Sequence, residues 1–168
     1  MNMLGLSEWR RKSKRLRRND PTLTGIDLYG SNIRDDGAGH LAESLSINTV
    51  LTSLKLGYNN IGAAGANHIS ESLKLNTVLT HLDLYNNNID DTGAYHLSES
   101  LKVNTVLSSL NLRSNGIGDT GACHLNGFLK MNTVLTSLDL YGNLIGTSGA
   151  GHLSESLKVN RVLTYLSL

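Results

Sequence analysis

The chain has 168 residues, a formal net charge of +1 and a hydrophobic fraction of 39%. This length and composition suit one domain or one run of repeats with a real core, and they exclude an intrinsically disordered chain. No apolar run reaches the ~18 residues of a transmembrane helix. The single cysteine, Cys123, excludes an internal disulfide and fits a reducing compartment. We therefore expect an intracellular protein, most simply a cytoplasmic one.

Residues 1–22 carry most of the positive charge, with seven basic residues against two acidic ones, whereas residues 23–168 are mildly acidic. This basic segment occupies the place where a signal peptide would have its apolar stretch. Trp9, Ser13 and Leu16 would share one face of a helix, so we expect residues 1–22 to form a basic capping helix and turn. The alternative is a patch for nuclear import, an anionic membrane or nucleic acid, carried by basic residues 10–18 only. No aromatic residues alternate with the arginines, which disfavours nucleic acid.

A period of 28 residues runs through the rest of the chain without insertion. It is marked by six leucines, Leu23, Leu51, Leu79, Leu107, Leu135 and Leu163. Five full repeats fill residues 23–162, and residues 163–168 begin a sixth. A fixed period of this length indicates stacked units that share one continuous core.

The first half of each repeat reads LxxLxL, an alternation that predicts a short strand with its leucines on one face. An asparagine follows, and turned inward it would satisfy backbone groups at the bend and form a ladder: Asn59, Asn87, Asn115 and Asn143. The second half has helical spacing. In the third repeat Ala94, Leu97 and Leu101 fall at i, i+3 and i+7, with Val103 beyond. We expect Thr92 to be the N-cap of this helix and Asn104 to mark its end.

The motif LxxLxLxxNxIxxxGAxxL resembles the leucine-rich repeats of the ribonuclease-inhibitor type, and the resemblance covers residues 23–168. It implies an α/β fold, a right-handed β/α solenoid with a parallel sheet on the concave side and helices on the convex side. It also implies a non-enzymatic module that binds a protein partner on its concave surface. Two departures are visible, Ser31 in place of the asparagine and Gly127-Phe128 in the fourth repeat.

Two regulatory families suggest alternatives. The turn Asn19-Asp20-Pro21 followed by repeats resembles tropomodulin, which implies binding to actin filament ends. Ran GTPase-activating protein uses this repeat class with a catalytic loop arginine, and Arg34 and Arg113 lie in the corresponding strand-to-helix regions, although neither sits in a matching motif. The alternative function is therefore a cytoskeletal or small-GTPase regulator built on the same fold.

The chain carries little that points to catalysis. Five histidines recur at one repeat position, His40, His68, His96, His124 and His152. Equivalent positions on neighbouring helices lie ~8–10 Å apart, too far to share a zinc ion. Cys123 and His124 point ~100° apart on a helix and form no dyad. We therefore expect no enzyme, no metal or other cofactor, and no small-molecule substrate.

The residues between the strand leucines must face away from the core. Together with the residues just past each strand, they supply the predicted partner-binding wall, which is rich in tyrosine and edged by aspartate: Asp27, Tyr29, Lys55, Tyr58, His81, Asp83, Tyr85, Asn111, Arg113, Asp139 and Tyr141. Tyrosine offers contact area and a hydroxyl at low entropy cost. The alternatives are strand-compatible residues without a binding role, or a solenoid with no selected partner.

The segment Leu163–Leu168 would form a strand with leucines on one face and no helix behind it. Such an edge tends to pair with another strand. We expect it to pair with a further repeat of a longer chain or with a second copy of this chain. Pairing with a second copy would give self-association.

Overall fold

The computed structural model describes the backbone of residues 3–168 and the side chains from residue 9 onward. Helices and strands alternate along this part of the chain: α1 Met3–Arg17, β1 Gly25–Asp27, α2 Arg34–Leu45, β2 Ser53–Lys55, α3 Ala63–Leu75, β3 His81–Asp83, α4 Asp90–Leu101, β4 Ser109–Asn111, α5 Asp119–Leu129, β5 Ser137–Asp139, α6 Thr147–Leu157 and β6 Tyr165–Ser167. Within this part, no helix combines the length and apolarity that crossing a membrane would require.

The strands form one parallel sheet in chain order, from β1 to β6. Each strand residue pairs with the residue 28 positions further on, as Leu54 does with Leu82 and Leu82 with Leu110. Because the register equals the repeat period, equivalent side chains stack in columns across the sheet. The predicted β/α solenoid is confirmed.

The core lies between the sheet and the helix layer. The middle leucine of each inner strand is at most 2% exposed, and Ala94, Leu97 and Leu101 of α4 are fully buried. The predicted helix face is therefore confirmed. Val103 was wrongly placed with it, since the chain leaves α4 after Leu101 and turns Val103 outward, 60% exposed.

The asparagine ladder forms as predicted. Asn87 Oδ1 accepts hydrogen bonds from the backbone N–H groups of Asn59 and Ile61, both at 3.0 Å. Its Nδ2 donates to the Leu56 carbonyl of the preceding repeat at 3.0 Å. Each buried amide thus satisfies backbone groups that the strand-to-loop bend leaves unpaired, and it joins neighbouring repeats.

A second asparagine ladder follows the helices, where the sequence suggested only a helix end. Asn104 Nδ2 donates to the Leu73 carbonyl at 2.7 Å, and its Oδ1 accepts from the N–H groups of Val106 and Leu107. The same contacts recur, with small variations, along the ladder at Asn48, Asn76, Asn132 and Asn160. Both ends of β2, β3, β4 and β5 are therefore tied to the preceding unit.

The N-cap prediction for Thr92 is wrong. Helix α4 begins two residues earlier, at Asp90. The Asp90 carboxylate accepts from the backbone N–H groups of Thr92 at 2.7 Å and Gly93 at 3.2 Å. A carboxylate is the better acceptor for these amides, and it leaves the Thr92 side chain exposed.

Helix α1 packs against the first repeat. Leu16 is fully buried, and Trp9 packs against the core from the edge. The Leu16 carbonyl accepts from Asn48 Nδ2 at 2.7 Å, which continues the second asparagine ladder. In the following turn, Arg15 Nε donates to Asp20 Oδ2 at 2.7 Å.

The two departures in the repeats have different structural outcomes. In the first repeat the N–H of Ser31 donates to the Leu28 carbonyl at 3.3 Å, and no ladder amide stands there. In the fourth, Phe128 is fully buried at a position where Ser100 is also buried and bonds to the Leu97 carbonyl. The fourth repeat therefore has a bulkier core than its neighbours.

Candidate partner-binding site

Each of the first five strands ends in an outward-facing polar residue, and four of these five residues also shape the backbone. Oδ1 of Asp27, Asp83, Asn111 and Asp139 accepts a hydrogen bond, at 2.8–3.0 Å, from the N–H of the residue two positions later. Lys55, which has no acceptor in its side chain, is the exception. These bonds fix the direction in which the chain leaves each strand. They position the residues that follow, which are three tyrosines and an arginine.

Together with Tyr58 of the second repeat, those residues form a continuous stripe across five repeats. We call it the tyrosine–arginine stripe: Tyr29, Tyr58, Tyr85, Arg113 and Tyr141. The ring centroids of Tyr29 and Tyr58 lie 4.9 Å apart, and those of Tyr58 and Tyr85 lie 5.1 Å apart. The Arg113 guanidinium carbon lies 5.5 Å from the Tyr85 ring centroid and 4.6 Å from that of Tyr141. Every member of the stripe thus contacts the next.

The second repeat enters the stripe in an unusual way. It reads Gly57-Tyr58 where the first and fifth repeats read Tyr-Gly. Tyr58 therefore occupies a left-handed position, with φ of 57°, which Gly30 holds in the first repeat. A Cβ on Gly57 would lie 3.1 Å from the Tyr29 ring, so the glycine leaves room for that ring to reach Tyr58.

A hydrogen bond joins two hydroxyls of the stripe, those of Tyr58 and Tyr85, at 3.2 Å. This bond, followed by desolvation of the ring, raises the pKa of Tyr85. Tyr85 therefore keeps its hydroxyl proton over the physiological pH range.

Beside the stripe the sheet face holds a shallow depression of about 250 Å³, lined by Ser53, Lys55, His81, Asp83, Ser109 and Asn111. Lys55 lies in register between Asp27 and Asp83. His81 Nδ1 lies 2.8 Å from Thr80 Oγ1. The depression therefore offers a cation, a carboxylate and an imidazole within one small area.

The eleven predicted site residues fall into three groups. Five form the stripe, four line the depression (Lys55, His81, Asp83 and Asn111), and Asp27 and Asp139 stand at the ends of their strands. Sequence reasoning missed Ser53 and Ser109 as lining residues, although both lie in the same outward column as His81. It also missed the part played by Gly57, which the Tyr-Gly inversion could have indicated.

Other candidate groups have identifiable surroundings. Arg34 Nε donates to Asn32 Oδ1 at 3.0 Å, and Arg113 lies between the rings of the stripe. Cys123 is exposed. In the helix layer, the Tyr95 ring centroid lies 5.1 Å from that of His124. Within the described residues, no group of three or more His, Cys, Asp or Glu side chains is arranged to hold a metal ion.

The family model for the leucine-rich repeat matches residues 48–70, 75–98, 103–122 and 132–154. Together these segments cover more than half of the chain, which therefore belongs to the leucine-rich-repeat family. A comparison with curated proteins gives no match.

Two solved structures are similar over nearly the whole chain. The structure titled leiomodin-1 actin-binding site 2 is 26% identical, with a TM-score of 0.76, and the match covers 88% of each chain. The tropomodulin C-terminal domain of Caenorhabditis elegans also has a TM-score of 0.76, over 90% of this chain and 92% of that one. Its identity is 15%, so this second likeness concerns the fold alone. The predicted resemblance to tropomodulin-type repeat domains is confirmed.

Proposed function

We propose that this leucine-rich-repeat chain is a protein-interaction module that binds a partner on its exposed sheet face. The observation that carries the proposal is the tyrosine–arginine stripe, in which five successive repeats contribute one contacting side chain each. Its outer rings are well exposed, Tyr29 at 58% and Tyr141 at 52%. Exposed tyrosine and arginine are the side chains in which protein interfaces are enriched. In this proposal the wall belongs to the repeats of residues 23–162, and residues 1–22 and 163–168 flank them.

The conformation of Tyr58 supports a selected role for the stripe. A left-handed backbone costs a non-glycine residue of order 1–3 kcal/mol. Asparagine and glycine tolerate it better, and Asn86 holds the same position in the third repeat. Keeping a tyrosine there sacrifices stability for the exposed ring, which is the pattern expected at a functional site.

The stripe and its surroundings favour a partner segment that carries arginine or lysine. Arg113 demonstrates the geometry, because its guanidinium is held between two tyrosine rings of this surface. Asp27, Asp83 and Asp139 each direct one carboxylate oxygen to the backbone, which leaves the second available to a partner cation. A guanidinium on an exposed ring beside a carboxylate gains from both contacts.

The test compares two tyrosine variants with similar exposure and different locations. The double variant Tyr58→Asn, Tyr85→Ala removes the centre of the stripe. Asparagine is chosen at position 58 because it tolerates the left-handed backbone there. Tyr95→Ala removes a ring from the helix layer that is 41% exposed, like Tyr58. Proteins retained on the immobilised chain are identified by quantitative mass spectrometry, and the affinity of the purified partner is then measured calorimetrically.

We expect the stripe variant to lose about 30-fold in affinity, equivalent to about 2 kcal/mol. Tyr95→Ala should bind as the unaltered chain does. A partner whose affinity is the same for all three chains would remove the sheet face from consideration.

Actin is the specific partner that we propose first. The supporting observation is the 26% identity to the leiomodin-1 structure, whose title names an actin-binding site, over 88% of both chains. Such a role would place the chain inside the cell with the cytoskeleton. Co-sedimentation with actin filaments and elongation from capped filament ends would test it. If the chain neither binds actin filaments nor changes their elongation, actin is not its partner.

The small-GTPase alternative rests on the sequence positions of Arg34 and Arg113, and none of the similar proteins described above supports it. It is tested by the rate of GTP hydrolysis of a purified small GTPase with and without the chain. A rate increase abolished by Arg34→Ala or Arg113→Ala would replace the non-enzymatic proposal.

A further inference from the structure

The basic residues of α1 separate into different structural environments. Lys12 Nζ donates to the Asp27 carbonyl at 2.9 Å, at the outer edge of the sheet. Arg15 is bound to Asp20 and Thr22 in the turn that follows the helix. These two cations therefore hold the helix and its turn against the first repeat.

Three other cations line a groove between α1 and α2. Arg10, Lys14 and Arg17 are spaced at i, i+4 and i+7, which places them on one face of α1. The groove has a volume of about 430 Å³, and its remaining lining comes from both helices: Trp9, Ser13, His40, Glu43 and Ser44. A cavity of this size is in the range of small-molecule sites.

The positive charge of this groove is only partly compensated by the described residues. Glu43 is the one carboxylate among the described lining residues. Among the described side chains, no ion pair includes Arg10, Lys14 or Arg17. The three cations span about 10 Å along the helix, at 1.5 Å per residue. A ligand with several phosphate groups matches this spacing better than a single small anion does.

We propose that this groove binds a ligand with clustered phosphate groups, either a soluble polyphosphate or the same groups on a lipid headgroup. Guanidinium groups bind phosphate through paired hydrogen bonds, and Lys14 adds a point charge between the two arginines. The Ser13 hydroxyl and the His40 ring can donate further hydrogen bonds. This site lies on the helix side of the molecule and is independent of the partner-binding sheet face. The sequence could not show that α2 lies beside these residues and supplies the other wall of the groove.

Trp9 makes the proposal directly measurable, because it is the only tryptophan in the sequence. Its indole lines the groove, so ligand binding should change the intrinsic fluorescence. The probe is inositol hexakisphosphate, titrated into the full chain at physiological salt, with calorimetry for affinity and stoichiometry. We expect saturable binding of one ligand per chain.

Two double variants separate a built site from general charge attraction. Arg10→Gln, Arg17→Gln removes two groove cations. Arg11→Gln, Arg18→Gln removes the same net charge from the next residues along the chain, which do not line the groove. We expect the first pair to weaken binding at least about tenfold and the second by no more than about twofold. Glu43→Gln should strengthen binding, because it removes the negative charge from the groove.

The source of the phosphates is decided by a parallel arm. Phosphatidylcholine vesicles containing phosphatidylinositol bisphosphate are compared with vesicles that carry the same charge as phosphatidylserine. Binding to the first vesicles alone, weakened by the groove variant, supports a headgroup ligand, and binding of the soluble probe alone supports a free polyphosphate. No saturable binding in either arm, or equal losses in the two double variants, would overturn the proposal.

Discussion

The carboxylate of Asp91, in the first turn of α4, accepts a hydrogen bond from the backbone N–H of Gly121 in the next helix at 3.0 Å. The same oxygen accepts from the N–H of Gly118 at 2.6 Å. The first amides of α5, which no intrahelical carbonyl can satisfy, are thus capped by a side chain of the preceding repeat. The arrangement recurs from Asp35 to α3 and from Asp119 to α6.

The first prediction concerns this cap. Asp91→Ala should lower the free energy of unfolding by about 1–2 kcal/mol, because it removes both the cap and a favourable charge at a helix N-terminus. Thr92→Ala, at the next position, should cost less than about 0.5 kcal/mol because its side chain is exposed. Urea denaturation of both variants measures the difference. Equal losses would mean that the inter-repeat cap contributes nothing specific.

The second prediction concerns the junction where this cap is absent. Ala63 stands where the other capping repeats have aspartate, and the next helix supplies its own carboxylate, Asp90. Asp90→Gly should therefore destabilise the chain by about 1 kcal/mol. Adding Ala63→Asp should recover most of this loss, since the pair then matches Asp91 and Gly118.

Ala63→Asp alone is the control for that experiment. With Asp90 still present it should change the unfolding free energy little, because the same amides are already capped. A double variant no more stable than Asp90→Gly would contradict the proposed exchange of roles.

The third prediction compares two glycines in α5. A Cβ on Gly121 would lie 2.6 Å from both Asp91 Oδ1 and Ile117 Cγ2, whereas a Cβ on Gly127 would meet nothing within 4 Å. Gly121→Ala should destabilise by about 1–3 kcal/mol through overpacking. Gly127→Ala should stabilise by about 0.5–1 kcal/mol through lower entropy of the unfolded chain. Thermal and urea unfolding should move in opposite directions for the two variants, and a shift in the same direction would show that the tight contact at Gly121 is not limiting.

The fold could be predicted from the sequence because residues at equivalent repeat positions have the same structural role. The strand leucines, the first asparagine ladder and the buried face of α4 each follow from the period of 28 and a local pattern. The helix caps could not be predicted in this way, since donor and acceptor lie 27 and 30 residues apart. One signal was present in the sequence. Each capping aspartate is followed, in the next repeat, by a glycine just before the helix, whereas Ala63 is followed at that position by Asp90.

The sequence predicted which residues of the candidate site face outward, but it did not predict that five of them contact one another in a stripe. Strand alternation identifies which residues face outward, and this placed Tyr29, Tyr85 and Tyr141. It does not say that Tyr58, one position out of the column, returns to contact both neighbouring rings. That outcome depends on a left-handed backbone and on the space above Gly57, neither of which a strand pattern encodes. The groove between α1 and α2 could not be predicted for a similar reason, because its two walls come from separate segments of the chain.

The last prediction concerns acid and the turn that joins α1 to the repeats. The side-chain hydrogen bond from Arg15, followed by bonds from Thr22, holds the pKa of Asp20 well below its ordinary value of 3.8. The folded chain therefore favours the charged carboxylate more than the unfolded chain does. The resulting stabilisation is complete above the ordinary pKa and is lost as the pH falls below it towards the folded value.

Stability of the unaltered chain should therefore fall more between about pH 6 and about pH 3 than that of Asp20→Asn, which has no proton to take up. Asp36→Asn, which removes one carboxylate at an exposed position in the first turn of α2, serves as the control. Urea unfolding at both pH values measures the difference. If Asp20→Asn lost as much stability as the other two chains, the Arg15–Asp20 contact would not be what ties helix α1 to the first repeat in acid.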